Sequence, residues 1–224
     1  MKTRFSLGLM LGCIVMFVVS PVWGWQQSTG DCVQGNGKRT QQQRSLRDYK
    51  RMEVQGAYTL HISSGKDFSC TISGDSNLLE HVKTVVEKGK LRIGSDRSLC
   101  MQQPIEITLT QPQLDSFYAE GAHDITIANI SGKEFDFELF GSCVAKLSGT
   151  TDKLEMEISG SSSVDASGLK AVEADVAATG TSSAHVNVTG KLDVEASGVS
   201  EVVYSGNPAK VKTELSGLAD VAAR

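Results

Sequence analysis

The sequence predicts an all-β protein, a single-stranded right-handed parallel β-helix (β-solenoid) with one short amphipathic helix near its N-terminal part. Three observations carry this. Gly121, Gly141, Gly160, Gly180, Gly198 and Gly217 recur at spacings of 20, 19, 20, 18 and 19 residues, which marks a structural repeat. Aligned on these glycines, apolar side chains fall into fixed columns at alternating positions, as stacked strands require. Aromatic content is only 6%, and Tyr204 is the single aromatic after Phe140. Small side chains therefore fill the interior, which suits a slim coil better than an antiparallel sandwich whose sheets are held apart by bulky residues.

Lys2 and Arg4, an apolar run from Phe5 to Val19, Pro21 and then Val22-Trp23-Gly24 read as an export signal over residues 1–24. The apolar run is shorter than the roughly 20 residues that cross a bilayer, and no membrane span is expected after the signal is removed. Met10-Leu11-Gly12-Cys13 is a poor lipoprotein box, because cleavage there would leave Ile14 to Val19 at the new N-terminus. Residues 25–43 are polar, with a turn at Gly35-Asn36-Gly37, and read as a linker or a ragged first turn. Residues 44–224 form the β-solenoid domain.

Short strands begin with Met52 and Val54, then Tyr58, Leu60 and Ile62, then Phe68, Cys70 and Ile72, broken by Gly56, Gly65 and Gly74. Asp75 or Ser76 can then cap a helix with Leu78, Leu79, Val82, Val85 and Val86 on one face and a stop at Gly89. A lone helix in a strand-rich chain is expected to cover the apolar end of the coil. Strands resume at Leu91 and Ile93, and at Ile105, Ile107 and Leu109.

In the repeats, Ala119, Leu139, Ile158, Ala178, Ala196 and Leu215 stand two residues before the glycines. Phe117, Phe137, Met156, Val176, Val194 and Thr213 stand four before, and Ile125, Ala145, Val164, Ala184, Val202 and Val221 four after. The position two after holds His123, Cys143, Ser162, Ser182, Ser200 and Ala219, nearly all small, as an inward corner requires. The glycine itself permits the bend, because it adopts positive φ without strain. Six such turns at about 4.8 Å would make a rod near 29 Å long, wound right-handed like other parallel crossovers.

Cys13 leaves with the signal, so Cys32, Cys70, Cys100 and Cys143 are the disulfide candidates in a compartment where bridges persist. Three connectivities are open, and neighbouring predicted strands favour Cys70 with Cys100. The formal net charge of −4 becomes −6 once residues 1–24, with two basic and no acidic residues, are removed. That balance argues against nucleic acid and anionic lipid as the main partner, since both need a basic footprint.

Candidate chemistry is sparse. His123-Asp124, with Asp165, His185, Glu201 and Asp220 near equivalent corners, could line one edge with acid and imidazole groups. These residues alternate with serine and alanine, whereas sugar-cleaving sites need two or three converging carboxylates. Ser161-Ser162-Ser163 and Thr181-Ser182-Ser183 could present a hydroxyl ladder, though small polar residues also serve as turn chemistry. Calcium nonapeptides, phosphate-cradling glycines and a His-Glu-x-x-His helix are absent from the sequence. No catalytic, cofactor-binding or metal-binding residue is assigned, and no cofactor is expected.

Arg44, the strand around Tyr49, Val54 and Gly56, the stretch Asp75-Ser76-Asn77-Leu78-Leu79, Lys83-Thr84-Val85, Gly89-Lys90-Leu91 and the later glycine turns together resemble the bacterial head GIN domain family, described as putative auto-transporter adhesins. The resemblance runs from about Arg44 to the C-terminus. It implies an exported β-helical domain with no established enzymatic activity and a suggested role at the cell surface, and it supplies no catalytic residues. The resulting expectation is an exported, periplasmic or cell-surface binding and adhesion module whose partner is protein or carbohydrate at the envelope. The alternatives are a carbohydrate-active enzyme on the same scaffold and an envelope assembly module that self-associates end to end.

Overall fold

The computed structural model describes residues 32–224; the export signal expected over residues 1–24 lies outside them. The chain forms β1 (Val33–Gln34), β2 (Arg39–Gln43), β3 (Arg51–Gly56), β4 (Tyr58–Ser64), β5 (Ser69–Asp75), α1 (Ser76–Leu79), β6 (Val82–Glu87), β7 (Lys90–Ser95), β8 (Leu99–Cys100) and β9 (Ile105–Gln111). The repeats follow as β10 (Ser116–Gly121), β11 (Asp124–Gly141), β12 (Val144–Gly160), β13 (Ser163–Gly180), β14 (Ser183–Ala196), β15 (Glu201–Ser205), β16 (Lys210–Leu215) and β17 (Asp220–Ala223). Together they make a β-solenoid of about five turns. The six glycines from Gly121 to Gly217 predict six turns; the structure has about five.

Each lap has two main faces. On the first, β3, β10, the second halves of β11 to β14, and β16 lie side by side, all parallel. On the second, β9, β4, the first halves of β11 to β14, β15 and β17 do the same. The register stacks Ala119, Leu139, Ile158, Ala178 and Ala196 directly upon one another. All five are buried, as are Phe117, Phe137, Met156, Val176 and Val194 in the neighbouring column. Phe117 and Phe137 stack with ring centroids 5.7 Å apart. The interior is lined by apolar side chains because alternation along each strand sends one apolar set inward on every lap.

The corner glycines also stack, and their column starts at Gly56, which pairs with Gly121. Every member has positive φ, from 131° at Gly121 to 75° at Gly217. A Cβ at Gly141 or Gly160 would collide with the carbonyl oxygen of the glycine one lap earlier. Close backbone approach and the left-handed bend therefore demand glycine together.

The N-terminal part departs from expectation in three ways. Only Ser76–Leu79 is helical, and Val82–Glu87 is a strand antiparallel to β7. Lys88 and Gly89, at φ 50° and 73°, form a two-residue turn whose two positive φ values match hairpin twist. The apolar spacing mimics a helix because Leu78, Leu79 and Val82 are all buried, but Val82, Thr84, Val85 and Val86 are β-branched and favour the strand. Asp75 holds the N-cap position, but its side chain makes no capping bond; its carboxylate accepts the Gly37 N–H at 3.2 Å instead.

Second, the helix is not the only cover at the end of the coil: Leu78 and Leu79 are buried in the core, and strands extend both faces beside them. The β6–β7 hairpin extends the first face beyond β3, and Arg39–Gln43 extends the second face by pairing antiparallel with β5. The one-turn helix packs on β5 and β2 through Leu78 and Leu79.

Third, the disulfide joins Cys32 to Cys100, not Cys70 to Cys100. Val33–Gln34 lies parallel to Leu99–Cys100 and brings those cysteines together. Cys70 points into the core opposite Leu109 on β9, and Cys143 occupies the corner column; both are buried thiols. Burial raises the Cys70 thiol to about 11.

Candidate functional site

His123 occupies the inward corner and is buried. Its Nδ1 accepts the Tyr58 N–H at 3.3 Å and its Nε2–H donates to the Glu120 carbonyl at 3.1 Å. Its ring stacks on Tyr58 at 5.9 Å. Burial lowers its pKa, outweighing the two backbone contacts. It is a neutral structural imidazole whose two nitrogens are already engaged. Below it in the same corner, the Ser162 hydroxyl accepts the Cys143 N–H and donates to the Gly141 carbonyl, both at 3.2 Å. Ser182 donates to Thr179, and Ser200 to Ser197 and Ala178. The hydroxyls of these buried serines satisfy corner backbone groups; the outward Ser163 and Ser183 meet at 3.1 Å.

The acid and imidazole strip does not assemble. Asp124, Glu201 and Asp220 share one column, but Asp124 and Glu201 are separated by Val144, Ser163 and Ser183. Four strand spacings place them about 19 Å apart. Asp165 and His185 are register partners in a different column. The Ser167 hydroxyl and N–H donate to the Asp165 carboxylate and lower its pKa.

The dominant outward feature is instead the first face. Five residues before the glycines stand Asp136, Glu155, Asp175 and Asp193, and three before stand Glu138, Glu157, Glu195 and Glu214, interrupted by Ala177. They line a shallow trough of about 400 Å³. The column beside them alternates as Glu134, Lys153, Glu173 and Lys191. Parallel in-register pairing puts like residues at lap spacing, and like charges so placed repel. Burial first, then Glu155 and Glu134, raise Asp136; burial, then Glu157 and Asp136, raise Glu138.

Glu134, Asp136 and Glu155 bring carboxylate oxygens within 4.8 Å of one another, the one grouping among the described residues with the makings of a cation site. Lys153 already bonds Glu155 and lies 3.6 Å from Glu134 and 3.5 Å from Asp175. Its ammonium supplies the positive charge there. At the N-terminal end of the face, Tyr118 and Phe140 pack at 5.5 Å, and the Tyr118 hydroxyl donates to Glu120 at 3.3 Å. Tyr118, raised to about 12 by burial and then by Glu120, stays a neutral donor.

These acidic columns were legible in the sequence. The same glycine alignment that exposes the apolar columns two and four before each glycine places Asp and Glu three and five before it, in the fragments DFELFG, LEMEISG and LDVEASG.

The sequence profile of the family described as "Putative auto-transporter adhesin, head GIN domain" matches residues 48–208. The chain belongs to the head GIN domain family. Its fold is shared by solved structures of low identity. A protein of Bacteroides fragilis described as a putative adhesin superposes with a TM-score of 0.70 at 17% identity, over 86% of this chain and all of that one. Putative adhesins of Parabacteroides merdae and Parabacteroides distasonis give 0.57 at 19% and 0.58 at 20%, each over 87% of this chain and all of theirs. No curated protein matches the chain. Among the described residues, no helix is long and apolar enough to cross a membrane.

Proposed function

We propose that this head GIN domain is an exported, non-enzymatic adhesion module of the cell envelope that presents its acidic first face to a protein or carbohydrate partner. The observation that carries this reading is the set of carboxylate columns running from Asp136 to Asp193 and from Glu138 to Glu214 on parallel strands held in register. A stacked sheet is a rigid platform, and repetition at lap spacing lets one surface engage several groups of an extended partner at once. The charge favours a basic protein segment over an acidic glycan. The Tyr118 and Phe140 pair adds an apolar foothold at one end.

Two observations support a binding rather than a catalytic role: where Glu134, Asp136 and Glu155 approach one another the Lys153 ammonium is bonded into the group, and His123 is engaged by backbone on both nitrogens. The test is binding of the purified protein to glycan arrays and to basic and acidic polypeptides, repeated with Glu138→Lys/Glu157→Lys. The expected outcome is salt-sensitive binding to a basic partner that the double variant loses at least tenfold. Polysaccharide cleavage by the unmodified protein, or binding indifferent to these substitutions, would overturn it.

A further inference from the structure

Among the described residues, β16 is paired only by β14 and β17 only by β15, so the last described lap presents one open strand edge on each face. Every residue of β16 is exposed, including Val211 and Leu215, whose counterparts Leu192 and Ala196 one lap earlier are buried. Leu218 at the adjoining corner is 78% exposed. Open edges with apolar neighbours pair with other strands unless something prevents it.

The order of residues along these edges selects the partner. In antiparallel pairing, directly opposed residues lie on the same face of the sheet. Setting Thr213 opposite itself places Lys212 against the partner's Glu214 on the outward face and Val211 against the partner's Leu215 on the inward face. Moving the centre to Lys212 or to Glu214 opposes like charges. A shift by an odd number of residues turns the apolar set outward. Within one copy, Lys212 already donates to Glu214 at 2.6 Å, so the two-fold arrangement closes a ring of four alternating charges.

The second edge obeys the same relation. Centred on Ala222, it sets Asp220 against the partner's Arg224 and Val221 against the partner's Ala223. Thr213 and Ala222 lie nearly equidistant in sequence from the Gly217 corner. The opposite end of the solenoid offers no such match, since its outer strands β6 and β2 are antiparallel to their neighbours and carry unrelated sequences. We propose that a second copy of this chain docks tail to tail on the last described lap, through two-fold antiparallel pairing of β16 with β16 and β17 with β17, joining both sheets across the pair.

Sedimentation velocity of the purified protein across a range of concentrations tests this. The expected species is a reversible dimer that does not grow further, because a two-fold interface closes. Lys212→Glu alone and Glu214→Lys alone are each expected to weaken dimerisation about tenfold or more, since each places like charges opposite one another twice. Lys212→Glu/Glu214→Lys restores the alternation and is expected to restore dimerisation, which a folding defect would not do. The thermal midpoint at concentrations where the protein is monomeric checks that each variant folds. A monomer at every concentration, assembly beyond two copies, single variants that dimerise like the parent, or a double variant as weak as the singles would each overturn the proposal.

Discussion

From Ser116 onward, every ladder is parallel and each lap rests on the one before it. Between Arg39 and Gln111 the chain doubles back on itself: β2 with β5, β5 with β9 and β6 with β7 are antiparallel, and a disulfide ties Cys32 to Cys100. The two regions solve the same problem by opposite means. A lap within the repeats needs only a matching lap on each side, so its stability comes from columns of small apolar residues and from glycines that let the backbones approach. Among the described residues no lap precedes the first one, and the N-terminal region covers it with strands of different direction, larger buried residues such as Tyr49 and Leu91, and a covalent tie.

The largest expected effect breaks that covalent tie. Replacing Cys32 and Cys100 together with serine removes a bridge spanning a sequence separation of 68, which in the chain-entropy model costs about 4 kcal/mol. Guanidinium unfolding should register that loss; a change below about 1 kcal/mol would mean that the N-terminal strands hold without the bridge, as the repeats do.

Next is a pair of glycines, one from each region. Gly160→Ala forces a side chain onto the Gly141 carbonyl at φ 102°, and should cost about 3 kcal/mol. Gly37→Ala, at φ 70° with open space around it, should cost about 1 kcal/mol. Equal thermal shifts would show that lap-to-lap approach is not what requires glycine in the corner column.

The smallest effect concerns the seam between the regions, where His123 of the repeats stacks on Tyr58. Because burial lowers the folded pKa of His123, the unfolded chain binds more protons as pH falls below about 6.5. Stability should therefore decline through that value and keep declining until the folded imidazole is itself protonated, by at most about 1.4 kcal/mol per pH unit. Asp136 and Glu138, whose folded pKa values are raised by burial and then by neighbouring carboxylates, act in the opposite sense. Thermal midpoints from pH 7 to pH 5 should flatten in His123→Ser, a residue type that the same corner column already holds at Ser162, Ser182 and Ser200. An unchanged slope would place the titrating group elsewhere.

Much of this was readable beforehand, and the reason is local. In the repeats, the neighbour that a residue packs against is the residue about 19 positions away in the same column, so aligning Leu139, Ile158 and Ala178 on their glycines amounts to reading their contacts. The acidic face was equally readable through Glu138 and Glu157. The N-terminal region offers no such rule. Leu78, Leu79, Val82 and Val86 satisfy helical spacing, yet β7 was there to take Val82–Glu87 as a strand, and nothing within the segment announces β7 as its partner.

By itself, the amino-acid sequence determined the solenoid, its inward columns, its glycine corners and the charge carried on its outward face, because each follows from periodicity along the chain. Tertiary structure alone decided which cysteine meets Cys100, how the first lap is covered, and that His123 spends both nitrogens on backbone. Those outcomes depend on contacts between segments that share no period, where the winning arrangement is the one that pairs the most backbone and buries the most apolar surface across the whole fold.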